Sequence, residues 1–435
     1  MKMKKAFTVL TFVLICCLLM VACSGEEDEN SASGDSKTVK FMHLWPEGSS
    51  AQHYKVVNQI IEDFETENEG IDIELEVLSN EQYKEKIKVQ STSNELPDVG
   101  MTWAAGYMEP FVDGNMFASL DDILEEDNLS EEFVAGTTDA FSIDDTAYGL
   151  PLELNISSIY YNKAIFDEYG LEEPTTLDEF NQVVDTLNEN DVIPVALGNR
   201  DAWTGSMWYM YLANRLGGDE DVLTSAIDRS GSFEDPALLK AAEHLQGLVN
   251  DNSFVSGFNG LADQEAKSMF MESQAAMYLI ATWDLPNYTT NEDVPQEFRD
   301  SVGYFPFPQV DGSGDFNSYV GGPGVGLFVS ENSEVKEEAK TFVSYFVKEW
   351  GERAVTEVGI IPATKIDGEA LDLPELYVEV LDDLNNASNI TLYADVQMSA
   401  SAAQVHLDMI QALFGGEITP EEFVKTHEET LANEE

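Results

Sequence analysis

Residues 38–103 change their hydrophobic period from strand to helix and back again twice, and that order limits the fold more than any other feature of the chain. Residues 38–44 (TVKFMHL) alternate as a β-strand does. Val56, Val57, Ile60, Ile61 and Phe64 then recur at helical spacing over 54–67. Residues 71–78 (IDIELEVL) are apolar at every odd position, which predicts a half-buried strand. A helix over about 81–92, a turn at Pro97 and a short strand over 99–103 complete the run. A β-helix-β-helix-β order implies parallel strands with helices on their faces, hence an α/β fold.

The rest of the chain continues in the same manner. Residues 148–161 form a second β-rich stretch, and helices follow over 176–190, 206–217, 236–251 and 262–273. Thr176, Ser206, Asp235 and Asp263 stand near their starts as capping residues. An apolar strand over 275–280 runs into Thr282, Trp283 and Asp284. The glycine-rich segment 321–326 leads into strand-like residues, an amphipathic helix covers 334–349, and helices are expected over about 396–414 and 419–432. There is no internal repeat.

Charge narrows the function. The 435 residues carry 82 Asp plus Glu against 22 Lys plus Arg, a formal charge of −60. Such a chain is repelled by phosphate backbones and anionic headgroups, so nucleic-acid binding is excluded. Disorder is excluded as well, because 43% of residues are hydrophobic and 10% aromatic. The length allows a few domains or one large two-lobed body. The acids are spread along the chain, which reads as a solvated acidic surface rather than a binding site.

The first 22 residues read as a secretory signal: Lys2, Lys4 and Lys5, then an uncharged stretch from Ala6 to Ala22. A transmembrane anchor is the competing reading. Met20-Val21-Ala22-Cys23-Ser24-Gly25 resembles the lipobox of bacterial lipoproteins, in which Cys23 is lipidated and becomes the first mature residue. All the cysteines (Cys16, Cys17 and Cys23) lie in the first 23 residues, so neither a disulfide nor a Cys-ligated zinc is expected in the body. Residues 23–37, rich in Ser, Gly and acids, read as a flexible acidic tether.

Most catalytic motifs fail. Residues 321–326 lack the Lys and Ser/Thr of a phosphate-binding loop. Asp311 to Asp315 lacks the later Gly and Glu of a calcium loop. The five His show no metal-ligand spacing, so no metal and no cofactor is expected. What remains is aromatic. Trp45, Trp103, Trp203 and Trp283 each follow a predicted strand or sit in a loop, beside polar or small residues. Strand ends are where open α/β proteins bind ligands, and a Trp face fits the C–H face of a sugar. The plainer reading of any Trp is core. Trp208 and Trp350 fall within helical patterns and are read that way.

Several segments resemble the family 1 extracellular solute-binding proteins, the lipoprotein receptors of bacterial ABC importers, chiefly for oligosaccharides. Leu96-Pro97-Asp98-Val99 is one. Tyr148-Gly149-Leu150-Pro151 with Tyr160-Tyr161-Asn162-Lys163 and Phe166 is the most specific. Pro174 to Phe180, Ala275 to Trp283, and Gly415 to Glu422 complete the match, with Leu177 where Trp is common and Ala281 where Gly is. The resemblance implies a two-lobed periplasmic-binding-protein-like fold with a hinge and an interlobe ligand cleft. One lobe would hold 38–150 and 320–385, the other 151–319 and 386–435. It implies ligand contacts at Trp45, Glu47, Trp103, Asn155, Trp203, Trp283, Asp284 and Gly322, with Asn155 where maltodextrin receptors use a carboxylate. It further implies a non-enzymatic, monomeric receptor held to the outer face of the cell membrane by its lipid. That receptor would deliver a carbohydrate to an ABC permease. A surface-anchored glycoside hydrolase, which needs two carboxylates across one cleft, and a receptor for a non-sugar solute such as a polyamine are the alternatives.

Overall fold

The computed structural model describes residues 36–218, 221–366 and 371–434. The expected signal segment, Cys23 and nearly all of the tether lie outside the described residues. The strand–helix order of the N-terminal region builds three strands of a five-stranded sheet. Strand β1 (Lys37–His43) pairs in parallel with β2 (Ile71–Val77) and with β3 (Val99–Thr102). The helix Ala51–Glu67 buries Val56, Val57, Ile60, Ile61 and Phe64, the residues its period selected. Strand β2 alternates half-buried and exposed positions along its whole length, so it forms an edge with one face on the core.

A short hairpin, β4 (Ser142–Ile143) with β5 (Thr146–Ala147), leads to β6 (Leu150–Pro151). Strand β12 (Gly326–Val329) returns much later in the chain and inserts antiparallel between β3 and β6, giving the order β2-β1-β3-β12-β6. The second sheet is six-stranded. It holds β7 (Leu154–Asn162), β8 (Ile193–Ala196), β9 (Ala275–Ala281), β10 (Val302–Phe305), β11 (Ser318–Pro323) and β13 (Asn389–Thr391). Its order is β13-β11-β7-β9-β8, and β10 pairs the far end of β7. Every residue of β9 is buried, as an apolar run without alternation predicts for a central strand.

The sheets are joined through a neck of extended segments. Leu152 and Glu153 link β6 of the first sheet to β7 of the second, while Gly324 and Val325 link β11 back to β12. These links bond one another: Leu152 N–H donates to Val325 O (2.9 Å) and Gly324 N–H to Glu153 O (3.0 Å). A third segment joins them, with Leu154 N–H on Ile361 O at 2.9 Å. The long helix Lys336–Arg353 buries Phe342, Phe346 and Trp350; Phe342 and Phe346 pack edge-on against Phe41 of β1. The helix Glu375–Asn385 is tied to β10 of the second sheet by Tyr304 Oη donating to Asp383 (2.9 Å).

Three expected helices differ in detail. In one, Asp263 is the first helical residue of Asp263–Met271 rather than its cap, which is Ala262, and its carboxylate accepts from Tyr278 Oη instead. The helix expected from Ser206 begins at Trp203, after Ala202 in a left-handed conformation (φ 62°). Asn199 accepts the Gly205 N–H at 3.1 Å and so supplies the missing cap from outside the helix. Ser206 is therefore interior, and its hydroxyl bonds His406. The helix expected over 396–414 is broken between Ala394–Gln397 and Ala400–Phe414, where Ser399 caps the second piece by accepting from Ala402 N–H. Thr176 and Asp235 cap their helices as expected.

Candidate functional site

A cavity of about 260 Å³ opens against the neck, walled by loops that leave both sheets. Its position follows from strand direction. Trp45 and Trp103 come just after β1 and β3, Trp203 follows the segment leaving β8, and Trp283 and Asp284 follow β9. The carboxyl ends of strands from two sheets thus converge on one space.

The tryptophans play different parts. Trp45 is 5% exposed and lies flat on Trp350, with centroids 5.0 Å apart and planes at 5°. His53 packs close to it at 4.8 Å, so Trp45 closes the cavity wall while one face is already taken. Trp103 is half-buried, with the Lys84 ammonium 5.0 Å from its ring centroid and Tyr107 edge-on at 4.8 Å. Trp203 and Trp283 meet edge to face, centroids 6.1 Å apart and planes at 63°, and Tyr393 stands 5.8 Å from Trp283. These rings form an L-shaped apolar corner of the kind that receives flat apolar ligand faces. Trp208 and Trp350 are 1% exposed, in the core as their helical setting implied.

Asp284 lies at the wall but is 1% exposed and committed to neighbours. It forms an ion pair with Lys267, accepts from Tyr288 Oη at 3.0 Å and from Asn287 Nδ2 at 3.1 Å. Burial works against the Lys267 charge, yet Asp284 and Asp263 outweigh it and its pKa is raised. Asp263, which accepts from Tyr278 Oη, is pushed up to about 6 by burial, with Lys267 pulling the other way. His43 and His53 are both brought down to about 3 by burial, so the imidazole at the wall is neutral.

The structure sets Glu47, Asn155 and Gly322 outside the cavity lining. Glu47 is exposed at the turn after β1. Asn155 is 1% exposed, and its side-chain carbonyl accepts from Thr282 Oγ1 at 2.8 Å, so it fastens β7 to the end of β9. Gly322 pairs Asn155 within the sheet at φ 122°, where a side chain is strained.

Sequence reasoning missed Glu153, Lys267, Asp263, Arg200 and Tyr393, all of which line the cavity. Glu153 precedes Asn155 by two residues, and strand alternation would have put both on one face. Asp263 and Lys267 are four apart on the helix Asp263–Met271 and so share a side. No such local signal marks Arg200 or Tyr393.

Comparison with known proteins gives consistent matches. The family described as bacterial extracellular solute-binding protein matches residues 47–349. A multiple sugar-binding protein of Streptococcus mutans is 24% identical over 355 residues, 79% of each chain. A melibiose/raffinose/stachyose-binding protein of Bacillus subtilis is 23% identical over 408 residues, 91% of this chain and 88% of that one. Among solved structures, one from work on xylan utilization by Caldanaerobius polysaccharolyticus superposes with a TM-score of 0.84 at 31% identity, covering 90% of this chain and 99% of that one. A chitin oligosaccharide binding protein superposes with the same TM-score of 0.84 at 23% identity, covering 92% and 99%.

Proposed function

This chain belongs to the bacterial extracellular solute-binding proteins, and on that premise we propose that it captures a carbohydrate in the cavity at the neck and hands it to the permease of an ABC importer. The observation that carries the reading is the corner of Trp203, Trp283 and Tyr393 beside the buried Lys267–Asp284 pair. Aromatic faces accept the apolar faces of a pyranose, and fixed polar groups around them discriminate hydroxyls. The sugar-binding relatives of Streptococcus and Bacillus support the ligand class.

The two sheets with their helices act as lobes, divided at 152–153, at 324–325 and near 361. Sugar docks on one lobe and the other closes over it, so that the bound and closed states favour each other. The ligand undergoes no chemistry. The Gln52 amide, on the helix after β1, donates to Asn291 Oδ1 at 3.0 Å in the segment after β9, a contact suited to the closed state. Lipid on Cys23 holds the receptor, as a monomer, at the outer face of the membrane. Among the described residues no helix is long and apolar enough to cross it.

Equilibrium dialysis of the full chain against raffinose, xylotriose, chitotriose and spermidine tests the reading. One or more sugars are retained and recovered intact. Retention of spermidine alone, or recovery of cleaved sugar, contradicts it.

A further inference from the structure

Glu153 touches every segment of the neck. It lies in the link from β6 to β7, and its backbone carbonyl holds Gly324 N–H at 3.0 Å. Its Oε1 accepts from Val325 N–H at 3.3 Å, in the link from β11 to β12, and its backbone bridges Pro362 in the third segment. A Cβ on Gly324 would overlap Oε1, so only glycine lets the carboxylate lie against this link. The side chain is 4% exposed and lines the cavity; its Oε2 has no hydrogen-bond partner, and the neighbouring Asn155 amide, whose Nδ2 is unpartnered too, favours the charged carboxylate. A buried carboxylate oxygen without a donor is costly, so it calls for a partner or another explanation.

We infer that Glu153 is the specificity-determining acceptor of this cavity, taking a hydroxyl hydrogen of the bound sugar on Oε2 while Oε1 holds the neck through Val325. The inference rests on the carbohydrate reading above. It selects for a ligand with a free hydroxyl at the neck end and against one blocked there by an ether.

The electrostatics give the contact a measurable signature. Burial lifts Glu153 to about 7, opposed by the Val325 N–H and by the Asn155 side chain. The groups facing it are Asn155 on its own strand, Gly324 and Val325 on the second link, Pro362 on the third, and Tyr393, whose phenol is held protonated by burial. Lys267, Asp284, Asp263, Lys84 and Asp395 stand elsewhere on the wall, and none is among the groups that set its ionisation. Without ligand the carboxyl is thus about half protonated at neutrality. A donated hydroxyl hydrogen bond favours the charged form, and little water remains to be expelled from it, so binding drives its proton into solvent. Affinity therefore rises with pH across neutrality.

Calorimetric titration of the full chain with raffinose, xylotriose and chitotriose, in two buffers of different ionisation heat, reads this directly. For the sugar that binds, the expected result is release of a fraction of one proton at pH 7. A roughly tenfold gain in affinity from pH 6 to pH 8 accompanies it. Glu153→Gln, checked for an unchanged melting profile, removes both effects and weakens binding by about tenfold or more. Equal heats in the two buffers for the wild-type chain overturn the inference without recourse to any variant. So does unchanged binding by Glu153→Gln. Binding of none of the sugars overturns the carbohydrate reading itself, and the inference with it.

Discussion

Trp203 and Trp283 stand edge to face with centroids 6.1 Å apart, although they reach the cavity from different segments of the second sheet's loops. Each fixes the other's orientation, and both remain only half-buried, so their free surface faces the cavity rather than the core. Replacing Trp283 by Ala should cost about 1–3 kcal/mol of sugar affinity, the scale of an aromatic hot spot. The contrasting variant is Trp208→Ala, which lies in the core and should cost about 3–5 kcal/mol of stability. Binding and unfolding curves for both variants separate the two roles. Unchanged affinity in Trp283→Ala removes that residue from the site.

The Lys267–Asp284 pair should matter for folding before it matters for ligand. Lys267→Met leaves Asp284, 1% exposed, without its cation. Breaking a buried pair from one side costs about 3–5 kcal/mol. Urea unfolding should show that loss, and the double variant Lys267→Met with Asp284→Asn should recover a large part of it. A Lys267→Met protein as stable as wild type would show that Tyr288 and Asn287 suffice to hold the carboxylate.

Helices of the second lobe are pinned by a buried chain whose proton positions follow from one end. The Phe423 carbonyl can only accept, so His427 Nδ1 donates to it at 2.8 Å. His427 Nε2 then accepts from His406 Nδ1 at 2.9 Å, and His406 Nε2 accepts from Ser206 Oγ at 2.7 Å. Both rings are neutral; burial brings His427 down to about 4 and His406 well below the usual range. The folded pKa lies below the unfolded value near 6.5, so the unfolded chain binds more protons as pH falls. This stability is complete above about pH 6.5 and is lost on the way to pH 4, by about 3 kcal/mol for His427 alone. In unfolding curves, His427→Gln should be less stable than wild type at pH 8, and the gap should narrow by about that amount toward pH 4. Parallel pH curves would contradict the account.

Closure has its own test. Gly106 beside β3 lies against the Met398 carbonyl, which follows the helix Ala394–Gln397, and a Cβ at 106 would overlap it. Gly106→Ala should prise these segments apart. X-ray scattering should then report a larger radius of gyration and binding should weaken, with the secondary structure unchanged. An unaltered radius with unaltered affinity would show that the contact plays no part in closure.

The acidic surface belongs to stability. With a formal charge of −60, self-repulsion weakens the folded state. Raising salt from roughly 0.1 to 1 M shortens the screening length from about 10 to about 3 Å and should raise the melting temperature. Affinity for a neutral sugar should change little. A steep salt dependence of affinity, with flat stability, would reverse that division.

Much of this was legible in the sequence because period and burial are local. Residues 71–77 alternate in the structure as they do in the sequence, and β9 is buried throughout as its apolar run implied. The cavity tryptophans were found because each follows a strand. What stayed hidden depends on distant partners. Trp45 reads as a platform until Trp350, far along the chain, is seen lying on it. Glu153 is one acid among 82, and only the meeting of the neck segments leaves its Oε2 buried without a partner. The start of the helix Trp203–Gly217 was misplaced because its cap comes from Asn199 and a left-handed Ala202, which no capping pattern encodes.

The central claim is that the cavity at the neck captures a carbohydrate. Isothermal titration of the full chain against raffinose, xylotriose, chitotriose and spermidine tests it most directly. The account predicts saturable one-to-one binding of at least one sugar, with a negative heat-capacity change from covering the tryptophan faces and no saturable one-to-one binding of spermidine. Saturable binding of spermidine with no heat from any sugar would contradict it.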